Sequence, residues 1–165
     1  MIANLYNKHI RSKGKAVPSR TSATLITDEK QDYFKLVQAL DREVSRYVRK
    51  SSEIAPGVCQ CYTCRKIMKS KDIQAGHFIS RRYFIVRFDL RNIRPQCPGC
   101  NNERSGAREK YRWRLVEEIG EDQVKDLEAL ANAYGEQRIP RETIIEKIRK
   151  FKEANKKWSK GWDIE

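Results

Sequence analysis

The chain has 165 residues, 39% of them hydrophobic, with 35 Lys and Arg against 22 Asp and Glu and a formal net charge of +13. That length suits one domain with appendages and excludes a pair of large domains. No run approaches the roughly 18 apolar residues of a membrane span, and the opening MIANLYNKHIRSKGK has no apolar signal segment, so a cytoplasmic protein without a membrane partner is expected. So large a basic excess favours a polyanionic partner, nucleic acid first; a highly charged solvated face is the plainer alternative.

Residues 1–27 carry Lys8, Arg11, Lys13, Lys15 and Arg20 and no acid before Asp28. Without sustained periodicity they are read as a basic flexible arm. The segment 28–56 forms an N-terminal helix, over about 29–50, from a capping-box-like Asp28 and Gln31 and the helical spacing of Tyr33, Leu36, Val37, Leu40, Val44, Tyr47 and Val48. It stops before Ser51, Ser52 and the Pro56-Gly57 turn. Residues 57–120 are the expected core domain. Its Ile73, Phe78, Ile79, Tyr83, Phe84, Ile85, Val86 and Phe88 favour strands, giving a small hairpin that carries His77 and a wide loop from Arg81 to Asp89. A helix then follows Cys100 and closes at Gly120. Residues 121–165 read as a C-terminal helical region, one helix ending at Gly135 and another starting at Pro140. Trp158 and Trp162 cover the end of the core, or stack on bases.

All five cysteines lie between 59 and 100, and four form Cys-x-x-Cys pairs, Cys61/Cys64 and Cys97/Cys100. That spacing presents two thiolates from one tight turn, which suits a tetrahedral zinc ion better than a disulfide framework confined to the middle of the chain. Cys59 is a spare thiol. Zinc held by four thiolates is coordinatively full, so it folds the segment and leaves catalysis to a second site. The two pairs are separated by 32 residues, more than the roughly 15 to 20 of a simple four-cysteine module, so something else is inserted.

The insert contains Ala75-Gly76-His77-Phe78-Ile79-Ser80 and ends in Asn92-Ile93-Arg94-Pro95-Gln96 before Cys97-Pro98-Gly99-Cys100-Asn101. A histidine on a strand, an asparagine five residues before a Cys-x-x-Cys and another directly after it resemble the zinc-supported HNH (ββα-metal) nucleases. More narrowly, GHFISRR, RFDLRNIRPQCPGCN and SGAREKYRWRLVEEIG are similar to the phage NinG (Rap) recombination proteins over roughly residues 40–135. The resemblance implies an α+β fold with a zinc-stabilised, treble-clef-like ββα core and flanking helices. It implies an endonuclease that cuts branched DNA such as Holliday junctions and D-loops, located in the host cytoplasm if phage-encoded. His77 would be the general base, Asn92 would hold the loop and the imidazole, and Asn101 would offer its oxygen to Mg²⁺ or Mn²⁺. Many HNH enzymes place a metal ligand directly before the base, where this chain has Gly76. Asp72, Asp89 and Glu103 are the nearest candidate replacements.

For phosphate contact the candidates are Arg81, Arg82, Arg87 and Arg91, with Arg104 and Arg108 competing. Resolving a four-way junction takes two cuts, so a homodimer is expected, joined through the C-terminal helices or the 29–50 helix. Two other readings stand beside the nuclease: a non-catalytic zinc module that binds branched or single-stranded DNA, and a zinc-folded protein-interaction domain whose charge is incidental.

Overall fold

The computed structural model describes residues 22–158, with side chains from residue 32 onward. Residues 1–21 of the expected arm, and Trp162, lie outside the described residues. Helix α1 (Ser22–Ser51) takes in residues 22–27 and begins ahead of Asp28, so the Asp28/Gln31 pair sits inside the helix rather than capping it. Its apolar stripe is the expected one: Val37, Leu40, Val44 and Val48 recur at three- and four-residue steps and are all buried.

That stripe packs on Ile139 and on Ile144, the latter part of helix α5 (Arg141–Lys156), which starts behind Pro140 as expected. Tyr33 donates to the Ile139 carbonyl at 3.0 Å, and the Asn155 amide donates to the Glu43 carbonyl and carboxylate at 3.0 and 2.8 Å. The two helices nominated for contact between copies therefore bury their apolar faces against each other within the chain. Trp158, just past α5, is half-buried.

Five short strands form two sheets. Strands β1 (Glu53–Ala55), β2 (Val58–Gln60) and β3 (Ile67–Lys69) make an antiparallel sheet in that order. Strands β4 (Gln74–His77) and β5 (Ile93–Gln96) pair antiparallel, with Gly76 opposite Arg94 and His77 opposite Ile93. The connection between β4 and β5 is not strand-like. Residues Phe84–Arg87 wind into a short helix, α2, and Leu90–Asn92 form a 3-10 turn. The reason is two-sided burial: Phe84 and Ile85 pack on the α1 core, while Val86 is buried with residues of the other core. One turn of helix presents consecutive apolar side chains to two layers around its axis.

Helices α3 (Arg108–Ile119) and α4 (Glu121–Tyr134) meet at Gly120, whose φ of +85° favours glycine. They enclose the second core, in which Tyr111, Leu115, Val124 and Leu127 are fully buried beside Phe78 and Ile79. The β4–β5 pair lies between the layers. Ile93 faces the α1 core, and on the other side the Tyr111 hydroxyl of α3 donates to the Gly76 carbonyl at 3.1 Å. The architecture is α+β, with helices covering two small sheets.

Gly76 is fixed by packing rather than by its φ. A Cβ there would lie 2.0 Å from Oε1 and 2.6 Å from Cδ of Gln96. Gln96 is fully buried, and its Nε2 donates to the Gly106 carbonyl at 2.8 Å and to Thr63 Oγ1 at 3.3 Å, so it has little freedom to retreat. Gly76→Ala is expected to lower stability by about 2–3 kcal/mol through overpacking. Urea midpoints should show a much smaller penalty for the same change in a Gln96→Ala background; equal penalties in both would refute the packing account.

Candidate functional site

The four paired cysteines converge. Sγ atoms of Cys61, Cys64, Cys97 and Cys100 all lie within 4.8 Å of one another, with Cys64 and Cys97 3.7 Å apart. A tetrahedral ion with bonds of about 2.3 Å spaces its sulfurs by about 3.8 Å, so the four thiols can hold a metal such as zinc. The first pair sits on a turn between β2 and β3, where the Arg65 amide donates to the Cys61 carbonyl at 2.9 Å and Arg65 takes a φ of +66°. The second pair follows β5, with the Cys100 and Asn101 amides donating to the Cys97 carbonyl. Burial raises the Cys61 thiol, but amide groups of Cys64 and Cys97, with Thr63, outweigh it and hold the thiol below its usual range. Burial and the neighbouring thiols push Cys97 up, so four thiolates require a cation among them. Cys59 stands apart: fully buried, it donates from Sγ to the Arg49 carbonyl at 3.2 Å.

His77 ends β4. Its Nε2 lies 3.0 Å from the Arg87 carbonyl, which can only accept, so Nε2 carries the proton and Nδ1 keeps its lone pair. Among the described residues Nδ1 has no hydrogen-bond partner. Burial pushes the imidazole pKa down to about 4; the bond to Arg87 opposes this, and the charge of Arg81 adds to it. The ring is therefore neutral at physiological pH. Because the folded pKa lies below the unfolded value, the stability His77 contributes is present above about pH 6.5 and is lost as pH falls towards 4. The carbonyl is itself held: Arg87 Nε donates to Asp41 of α1 at 3.1 Å, and Nη1 donates to the Arg81 carbonyl at 3.0 Å.

Asn92 is fully buried behind this loop. Its Oδ1 accepts from the Ile79 amide at 2.7 Å, and its Nδ2 donates to the carbonyls of Ile79 and Val86 at 3.1 and 3.0 Å. It pins the loop on both sides of the turn and touches the imidazole only through that scaffold. Asn101 lies in an irregular helical turn, Gly99–Glu103, that precedes α3 and is not part of it. Its Nδ2 donates to Gln74 Oε1 at 2.6 Å. Gln74 and His77 lie at odd separation on β4, so strand alternation sends their side chains to opposite faces. His77 and Asn101 are not brought into contact.

The space before His77 is closed by Gln96, and among the described residues no hydrogen bond joins Asp72, Asp89 or Glu103 to His77. Asp89 caps the 3-10 turn and binds Arg91; Asp72 and Glu103 are exposed in separate turns. Among the described residues the four cysteines are the sole group of three or more His, Cys, Asp or Glu side chains close enough to share an ion. The arginines divide sharply. Arg87 is paired with Asp41, Arg91 with Asp89 and Asp126, and Arg94 with Glu118. Arg82 contacts Tyr83 at 2.8 Å and lies 3.6 Å from Glu136. Arg81, Arg104 and Arg108 are exposed, and Arg108 lies over the Phe78 ring beside His77.

The family model described as the bacteriophage lambda NinG protein matches residues 6–161. The chain belongs to the NinG family. Curated NinG proteins agree: that of Escherichia phage 933W is 29% identical over 99 residues, covering 59% of this chain and 47% of the relative. The Salmonella phage P22 protein is 31% identical over 94 residues, covering 56% and 44%. The Enterobacteria phage H19B protein is 41% identical over 49 residues, or 30% and 24%. The chain thus spans about half the length of the curated relatives it matches. No solved structure matches it.

In this NinG chain, Asp41, Arg87 and Gln96 shape the site in ways that the local motifs do not show. Asp41 lies thirty-six positions before His77 and carries no local signal, and Gln96 reads as filler before Cys97. Loss of the metal should undo the segment they organise. Cys64→Ser, or stoichiometric chelation, is expected to lower Tm by roughly 10 °C or more. Thermal melts alongside elemental zinc analysis check this; an unchanged melt after the metal is removed would overturn it.

Proposed function

We propose that the chain is an endonuclease of the HNH type that hydrolyses phosphodiester bonds in branched DNA, with His77 as general base. The observation that carries this reading is the setting of His77: its Nε2 lies 3.0 Å from a backbone carbonyl, and its Nδ1 has no hydrogen-bond partner among the described residues. A base must be unprotonated and aimed, and a carbonyl that can only accept fixes both tautomer and ring plane. The β4–β5 pair with α3 against it, the loop-pinning Asn92 and the four-cysteine centre support the HNH resemblance around it.

In the proposed reaction Nδ1 takes a proton from water as the oxygen attacks phosphorus. The bond to the 3′-oxygen breaks, and that oxygen takes up a proton from solvent, leaving 5′-phosphate and 3′-hydroxyl ends. Arg81 and Arg108, exposed and without a carboxylate partner among the described residues, would meet the phosphates; Arg87 and Arg91 are paired with acids and brace the loop. The resemblance implies a divalent ion, but the described residues beside His77 offer no carboxylate cage, so Mg²⁺ dependence belongs to the test. That missing cage favours the second reading, a zinc-folded accessory protein that binds DNA without cutting it.

The test is nicking of four-way junction, D-loop and linear duplex DNA, with and without Mg²⁺ or Mn²⁺. Wild type should cut branched substrates preferentially, and His77→Ala should lose roughly 10²- to 10⁴-fold in rate while still binding DNA. Nicking that survives His77→Ala, or binding without cleavage under every metal condition, would overturn the nuclease reading. A separate prediction concerns pH. Protonation of His77 inactivates the base, so the acid limb of the rate profile should lie towards pH 4, well below the 6.5 of an unperturbed histidine. A limb at 6.5 would remove His77 from the base role.

A further inference from the structure

Basic charge without acidic partners gathers away from the loop that carries His77. A groove of about 420 Å³ runs between the C-terminal half of α1 and the β3 edge, lined by Arg46, Arg49 and Lys50 on one side and Lys69 and Lys71 on the other. One acid reaches it, Glu53, whose fully buried carboxylate lies 3.0 Å from Lys50 Nζ. Arg46, Lys69 and Lys71 make no ion pair among the described residues, and the guanidinium of Arg49 meets only the Ser45 hydroxyl. Arg42 continues the row one turn back on the same exposed face of α1, so the cations extend about 10 Å along the helix. Lys50 apart, these cations lack, among the described residues, the carboxylate partners that hold Arg87, Arg91 and Arg94.

We infer that this groove is a docking surface for the phosphate backbone of DNA, a second contact apart from the His77 loop. The charge is strung along a helix axis, which fits a polymer of evenly spaced phosphates better than a single small anion. No apolar side chain lines the groove, and the apolar stripe of α1 is buried against α5, so this face of the helix has nothing to insert into a lipid surface. The groove starts little more than one turn along α1 from Asp41, which braces the His77 loop through Arg87. A backbone seated there leads towards that loop. The inference rests on DNA as the substrate class and not on cleavage.

The test measures binding of the metal-loaded full chain to a four-way junction and to linear duplex, across a salt series without added Mg²⁺. The Arg46→Glu/Lys69→Glu double variant should weaken binding roughly tenfold or more, and the slope of log affinity against log salt should fall by about 2. The neutral Arg46→Gln/Lys69→Gln pair should lose less affinity but the same slope, which separates lost contacts from misfolding; circular dichroism and metal content should match wild type. Lys150→Glu on α5 serves as the control that leaves binding unchanged. Wild-type affinity and slope in both double variants would overturn the inference. So would equal groove-dependent binding of polyglutamate or of vesicles of phosphatidylcholine and phosphatidylserine, which would assign the surface to another partner. His77→Ala should bind like wild type in the same assay, so failure of the nuclease reading and failure of this one are read separately.

Discussion

Four cysteine side chains within 4.8 Å of one another bring together, alongside the Gln96 hydrogen bonds, three parts of the chain: the turn between β2 and β3, the end of β5, and the irregular turn before α3. The strands they join are three or four residues long, and strands that short do not hold register unaided. A metal bridging the thiols would supply the missing cooperativity, because ligands scattered in the unfolded chain become one body when it binds. Register then carries the chemistry. A slip of one residue along β5 would turn His77 from the Arg87 carbonyl and place a bulkier contact on Gly76.

Around that crosslink the acids are distributed so that the basic loop is rigid. Arg87, Arg91 and Arg94 reach Asp41, Asp126 and Glu118, on three different helices. These are partly exposed pairs, each of modest energetic weight in solvent. Their importance is geometric, since they tie the β4–β5 connection and β5 itself to neighbouring helices. The same pairing withdraws those cations from phosphate binding, and the unpaired ones lie elsewhere. The residues that brace the His77 loop and the cations left without acidic partners among the described residues are thereby different ones.

Periodicity and cysteine spacing made much of this legible. The stripe from Val37 to Val48, the helices ending at Gly120 and Gly135, the start behind Pro140 and the convergence of the four thiols all follow from local rules that tertiary packing did not override. The misreadings have a common physical cause. Tyr83–Val86 favours a strand by composition, but its side chains serve two cores at once and wind into a helical turn. The Asp28/Gln31 pair has the form of a cap and lies inside α1. Nor does the local sequence around Arg87 and Arg91 show that Asp41 and Asp126, remote in sequence, pair with them. Local pattern reports propensity; it cannot report which distant carboxylate a guanidinium will meet.

Gly76 shows how far that distinction reaches. In the sequence it is an absence, a ligand position with nothing to offer. In the fold it is occupied space, because the Gln96 amide lies where a side chain would begin, with its nitrogen engaged and its buried Oε1 unpartnered. The nitrogen faces the Gly106 carbonyl, an acceptor, so the amide cannot be turned round without losing that bond. A residue larger than glycine at 76 would displace Gln96, and with it the link from β5 to the turn before α3. The glycine is therefore explained by packing alone. Whatever His77 does, its ring is set by a backbone carbonyl and a braced loop.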